Sequence, residues 1–175
     1  MNTMANIAAD YMKEASRSLR AYKRLAEGAL AQVHDDEFFR RLDPESNSLA
    51  LIVKHITGNM RSRWTEFLAS DGEKPDRHRD QEFEEGSGIA RDDLMRAWDE
   101  AWQVMFASLD GLQPEDLERT VTIRADPYSV LKAINVAINH YAYHIGQIAF
   151  LAKHFRGTKW KSLSTPKPGQ ETYKR

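Results

Sequence analysis

Residues 126–157 read DPYSVLKAINVAINHYAYHIGQIAFLAKHFRG. Asp126 is a good N-cap, Pro127 suits the first helical position because the N–H it lacks has no intrahelical partner there, and Gly157 stands just past the far end. Between these boundaries the apolar spacing predicts one helix, about 40 Å long if continuous, from the rise of each residue. Its stretch from Ala133 to Ala152 holds twenty residues without a formal charge. Asn135, Asn139, His140, His144 and Gln147 interrupt that stretch, and so many polar groups are costly in hydrocarbon. A buried helix of a soluble core is therefore expected instead of a membrane span. His140 and His144 form H-x-x-x-H, and helical positions four apart project from one face and can bind the same ion.

Three more helices are predicted upstream. The first carries Ala8, Tyr11, Met12, Ala15, Leu19, Tyr22, Leu25, Ala29 and Val33 at helical spacing, with Lys and Arg opposite. The second begins at an N-cap of Ser46 or Asn47, runs through Leu49, Ile52, Val53, Ile56, Met60, Trp64 and Leu68, and stops at Asp71-Gly72. The third has Asp92 and Asp93 in its first turn, where the helix dipole favours acids, and then Leu94, Trp98, Ala101, Met105 and Leu109. Between the second and third, Asp71 to about Ala90 is polar, with Gly72, Pro75, Gly86 and Gly88. It is too long for a simple turn and implies a crossover loop or lid. Val121 to Arg124 reads as a short extended piece. The fold class is all-α, a four-helix bundle with one long crossover between helices 2 and 3.

Composition narrows the function. At 175 residues and 41% apolar content, one domain over 1–175 has enough core without staples. Net charge is 25 − 26 = −1, which offers no excess of Lys and Arg for nucleic acid or anionic lipid. With no cysteine there is no disulfide, no thiolate zinc ligand and no protein thiol nucleophile, so any thiol chemistry needs an external thiol. The N-terminal MNTMANIAADYMKEASRS lacks the pattern of a secretory signal, and a cytoplasmic location is expected. From Lys153 onward seven Lys or Arg face one Glu, whereas 71–93 has nine acidic and four basic residues. Trp160 and Leu163 are expected to anchor the basic segment 157–175 on or near the bundle.

The histidine pair asks for a third ligand. His55 lies about 60° from Ile52 around the second helix, at the edge of the apolar stripe. Three histidines with an open position match the ligand count of catalytic zinc sites, and neutral imidazole suits zinc or nickel first, with manganese or iron also possible. Gln147 shares the face of His140 and His144, and Asn59 follows His55 by one turn. Each can orient a ligand or a bound water through a hydrogen bond, the alternative being a plain amide at the edge of the core. Gly146 offers room for close packing. His34 and His154 read as surface residues and His78 as a loop residue, and no H-E-x-x-H supplies an adjacent carboxylate base. Arg61, Arg77 and Arg79 read first as solvated surface arginines, and alternatively as an anion site, since their fork geometry matches carboxylates and phosphates.

SLALIVKHITGNMRSRWTEFLASDGEKP (48–75), RHRDQEF (77–83), NHYAYHIGQIAFLAKH (139–154) and WKSLSTPKPGQ (160–170) together resemble the DinB/YfiT superfamily of bacterial four-helix-bundle proteins, within a subgroup of unknown function. The resemblance implies an up-up-down-down bundle, homodimers, and a divalent-metal site at His55, His140 and His144. It also implies relatives that act as metal-dependent transferases or isomerases of small thiols. The expected function is a metal-dependent enzyme that activates a small thiol or water. A metallohydrolase, and a non-catalytic metal-stabilised or metal-sensing bundle, are the alternatives.

Overall fold

In a computed structural model that describes residues 3–84 and 88–174, with side chains from residue 6 onward, the chain is mostly helical. The first stripe forms α1 (Thr3–Leu30), which buries Ala15, Leu19, Ala26, Ala29 and Leu30. A short helix that the apolar pattern did not reveal follows as α2 (Asp35–Phe39). Three acids in its only full turn suit the positive end of the helix dipole, and Phe38 is buried beneath it.

The second stripe becomes α3 (Leu49–Trp64), with corrected boundaries. Its cap is Ser48, whose Oγ accepts from the Leu51 amide at 3.2 Å, while Ser46 is engaged with Asp43. The helix stops at Trp64 instead of running through Leu68, and Glu66 just beyond has a φ of 50° that no right-handed helix accommodates. Eleven of the sixteen residues of α3 are buried, so this is the central helix. The crossover accordingly begins at Thr65. It is packed against the fold, since a 3-10 turn (Arg79–Phe83) lies on α3. Gly86, one of the glycines that marked the crossover, lies outside the described residues.

The third stripe is α4 (Arg91–Asp110), which places Trp98, Ala101, Trp102, Met105 and Leu109 in the core. The extended piece is half of a hairpin: β1 (Thr120–Ile123) pairs antiparallel with β2 (Asp126–Ser129), Thr120 opposite Ser129 and Ile123 opposite Asp126. Asp126 and Pro127 are therefore strand residues. The cap of α5 (Val130–Arg156) is Ser129, whose Oγ accepts from Lys132 N at 3.1 Å. Proline is tolerated here because the sheet has only two strands and both are edges. Gly157 ends α5 at a φ of 51°.

The hairpin turn is Arg124-Ala125, both at positive φ (57° and 63°), the geometry for which Asn-Gly is the usual choice. Asp71 supports it from the crossover. One carboxylate oxygen accepts from Arg124 N at 2.9 Å and Glu73 N at 2.7 Å, and the other accepts from Ala125 N at 2.8 Å. Gly72 N donates to Thr122 O at 2.8 Å. Crossover and hairpin are thus fastened together.

Among the long helices, α1 packs on α5 and α4, and α3 packs on α4 and α5. Trp64, Trp98, Trp102 and Tyr141 are the largest fully buried side chains. The C-terminal segment lies on α1: Gln32 exchanges two hydrogen bonds with the Lys161 backbone, and a Cβ on Gly28 would come within 2.8 Å of Leu163. Trp160 is buried as well. Among the described residues, no helix is long and apolar enough to cross a membrane.

Candidate metal centre

The central helix α3 supplies His55, and α5 supplies His140 and His144 from one face. The Nε2 atoms of His55 and His144 each lie 3.1 Å from Nε2 of His140. Two nitrogens bound to one tetrahedral zinc stand roughly 3.3 Å apart, from the zinc–nitrogen bond length. The group of three can hold a metal ion.

The other ring nitrogens fix which way the lone pairs point. His55 Nδ1 is 2.8 Å from Glu82 Oε2, and Arg77 grips the same carboxylate through Nε to Oε1 (2.8 Å) and an Nη to Oε2 (2.9 Å). Burial by itself raises the Glu82 carboxyl, but the hydrogen bonds from His55 and Arg77 and the Arg77 charge outweigh it and hold the group below its ordinary value. An ionised carboxylate only accepts, so His55 Nδ1 carries a proton, which in the neutral ring leaves the lone pair on Nε2. His144 Nδ1 likewise donates to Gln147 Oε1 at 2.8 Å, leaving its Nε2 lone pair inward. Two lone pairs thus face His140 Nε2. One proton there satisfies only one of them, whereas a cation satisfies all three nitrogens, and the donor set fits a divalent ion.

Electrostatics favour the neutral form of the two α5 rings. Burial first, then His144, His55, Arg63 and Arg77, push His140 down to about 3, and burial also lowers His144. Neutral imidazole is the form that ligates. Phe83 covers one face of His55, with ring centroids 4.6 Å apart. Behind the site the fully buried Tyr141 hydroxyl accepts from Trp64 Nε1 at 3.0 Å and donates to Asn59 Oδ1 at 3.2 Å, and burial raises its phenol. Asn59 is thereby held on the wall beside His55.

A pocket of about 560 Å³ opens onto the three histidines. The hairpin contributes Ile123, Arg124 and Tyr128 to it, and the crossover contributes Arg77 and Arg79. Of the three arginines singled out in the sequence, Arg77 and Arg79 reach this pocket, whereas Arg61 lines a separate cavity together with the exposed His78. Arg77 lines both cavities. His34 and His154 are exposed and away from the centre. Gly146 faces open space and packs against nothing within 4 Å, so the close approach expected there is absent.

A different glycine does that work. A Cβ on Gly58 would lie 2.3 Å from Glu82 Oε1, so only glycine at this point of α3 lets the carboxylate reach His55. Glu82 itself is one acid among the nine of 71–93, and nothing in its local spacing marks it. Gly58 was the available signal, since a glycine inside a helix is about 1 kcal/mol worse than alanine and calls for a reason. Arg63 was also legible, because His55, Asn59 and Arg63 follow one another at four-residue steps along α3.

No curated protein and no solved structure matches the chain. A family described as proteins of unknown function, DUF1572, matches residues 6–169, and the chain belongs to that family.

Proposed function

We propose that the protein is a metal-dependent enzyme of the DinB-like kind, with His55, His140 and His144 as ligands and a low-molecular-weight thiol or water as the group it activates. Zinc and nickel lead the choice of ion, with manganese and iron next, because three neutral imidazoles suit all of them. The observation that carries the reading is the convergence of three Nε2 atoms whose outward Nδ1 partners, Glu82 and Gln147, aim two of the lone pairs into one point beside an open pocket. A divalent ion there would lower the pKa of a bound water toward 7 and deprotonate a thiol, giving a nucleophile at neutral pH. The chain's own contributions are orientation and exclusion. Glu82 and Gln147 fix the rings, Phe83 shields His55, and the hairpin and crossover arginines wall the pocket.

The test begins with metal analysis of untagged protein beside a variant with all three histidines changed to alanine. About one ion per chain in the wild type, absent from the variant, is the expected result; equal metal in both rejects the site. Turnover of an electrophile only with added thiol then identifies a transferase. Turnover without thiol identifies a hydrolase, and stoichiometric binding without turnover identifies a metal-sensing protein.

The pairing of four long helices, each against two others, supports an up-up-down-down bundle. The proposal extends to a homodimer. Val136, Tyr143 and Phe150 follow one another at seven-residue steps on α5 and are 41%, 63% and 66% exposed, an apolar seam of heptad spacing.

A further inference from the structure

Arg63 stands out among the pocket residues because no carboxylate pairs with it directly. Its neighbour Arg77 is matched twice, by Glu82 and by Glu73 at 3.2 Å. Arg124 is 3.3 Å from the same Glu73, and Arg79 rests over the Phe83 ring at the edge of the pocket. Arg63 has no hydrogen bond or ion pair among the described residues, and its Nε is fully buried without an acceptor. Its stem is pressed onto Gly72, where an added Cβ would come within 2.8 Å. The glycine thus makes room for the arginine under the hairpin. Four guanidinium groups and a single carboxylate, Asp126, line the pocket. A partly desolvated guanidinium without a counterion is unfavourable, and its rigid fork matches an oxyanion with two parallel hydrogen bonds.

We infer that the ligand of the histidine pocket carries a carboxylate or phosphate group, and that Arg63 pairs with it while the reacting end of the molecule lies at the histidines. The inference rests on the reading of this pocket as an active site and adds the chemical class of what enters it. Spacing adds a length. His55 and Arg63 stand two helical turns apart on α3, about 12 Å by the rise per residue. The anionic group is therefore remote from the reacting atoms, an arrangement in which binding energy away from the chemistry positions the substrate. The exposed Arg79 contributes positive potential beside the pocket, which draws anions in and makes binding sensitive to salt.

Inorganic phosphate and succinate serve as the two probes, titrated calorimetrically into the full-length protein in both the metal-loaded and the chelator-treated form. Both forms are expected to bind at least one probe, and the probe preferred names the class. Arg63→Met keeps the length of the stem without its charge, and about a tenfold or greater loss of affinity is expected with an unchanged circular dichroism spectrum. His140→Ala is expected to lose metal and retain the anion. Affinity in Arg63→Met within twofold of wild type, or no binding of either probe to wild type, overturns the inference. If Arg63→Met does not fold, Arg63→Lys decides on the same twofold criterion, because lysine keeps the charge and lacks the fork. Arg63-dependent anion binding in a protein that retains no metal would discard the metal reading alone.

Discussion

Glu82 contributes most to the centre without touching the position where an ion would sit. It holds the His55 tautomer and is itself held by Arg77. Glu82→Gln keeps the shape and removes the charge, and metal affinity should fall by about 10- to 100-fold, as for other partners of ligating histidines. Competition against a chromogenic chelator measures this, and unchanged affinity would remove Glu82 from the site. Gly58→Ala tests the same contact from the opposite side. Its methyl group meets the carboxylate at 2.3 Å, so metal affinity and melting temperature should both drop, although alanine is the better helix former. The histidines also set a pH dependence. His140 is depressed to about 3 in the folded chain against an ordinary value near 6.5, and His144 is lowered too. Between those values the unfolded chain binds the protons that the folded chain refuses, so the metal-free protein loses stability as pH falls from 6.5 toward 3. Melting temperatures of chelator-treated wild type should decline over that interval more steeply than those of His140→Ala. Parallel profiles would contradict the assignment.

At the scale of elements, the strained turn Arg124-Ala125 and the carboxylate of Asp71 belong to one device. Ala125→Gly relieves a left-handed alanine and should stabilise the protein by ~1 kcal/mol. Asp71→Ala leaves three backbone amides without their acceptor and should destabilise it by about 1–3 kcal/mol. Thermal or urea unfolding measures both, and the same sign for the two substitutions would refute the arrangement. The hairpin also shows where sequence reading runs out. Apolar periodicity is a local signal, and it located α1, α3, α4 and α5 because each buries a stripe of its own. Asp126-Pro127 has the residue types of a helix start, yet pairing with Thr122 and Ile123 across the turn draws both residues into a strand and hands the cap to Ser129. α2 was missed because five residues carry no period. His55, His140 and His144 were legible from helical phase, and Arg63 continues the phase of His55. Glu82 was not, since its role depends on the crossover folding back onto α3, a contact between segments that no single-helix pattern encodes.

For the whole molecule, the exposed seam of α5 bears on assembly. Val136 and Tyr143 also line the histidine pocket, so a second copy seated there would add a wall to it. Tyr143→Asp combined with Phe150→Asp should convert a dimer to a monomer with little change in melting temperature at high dilution. Sedimentation equilibrium reads the result, and an unaltered mass would place any interface elsewhere.

Everything through Glu84 contributes His55, Glu82, Arg63, Arg77 and Arg79; everything from Gly88 onward contributes Arg124, His140, His144 and Gln147. Neither half holds a complete ligand set. If the chain were divided between these two points and the fragments produced separately, each would be left with half a core, and the three-histidine set would be complete only where the two met. The centre would then report reassembly, with metal capture as the signal that the fragments had found one another.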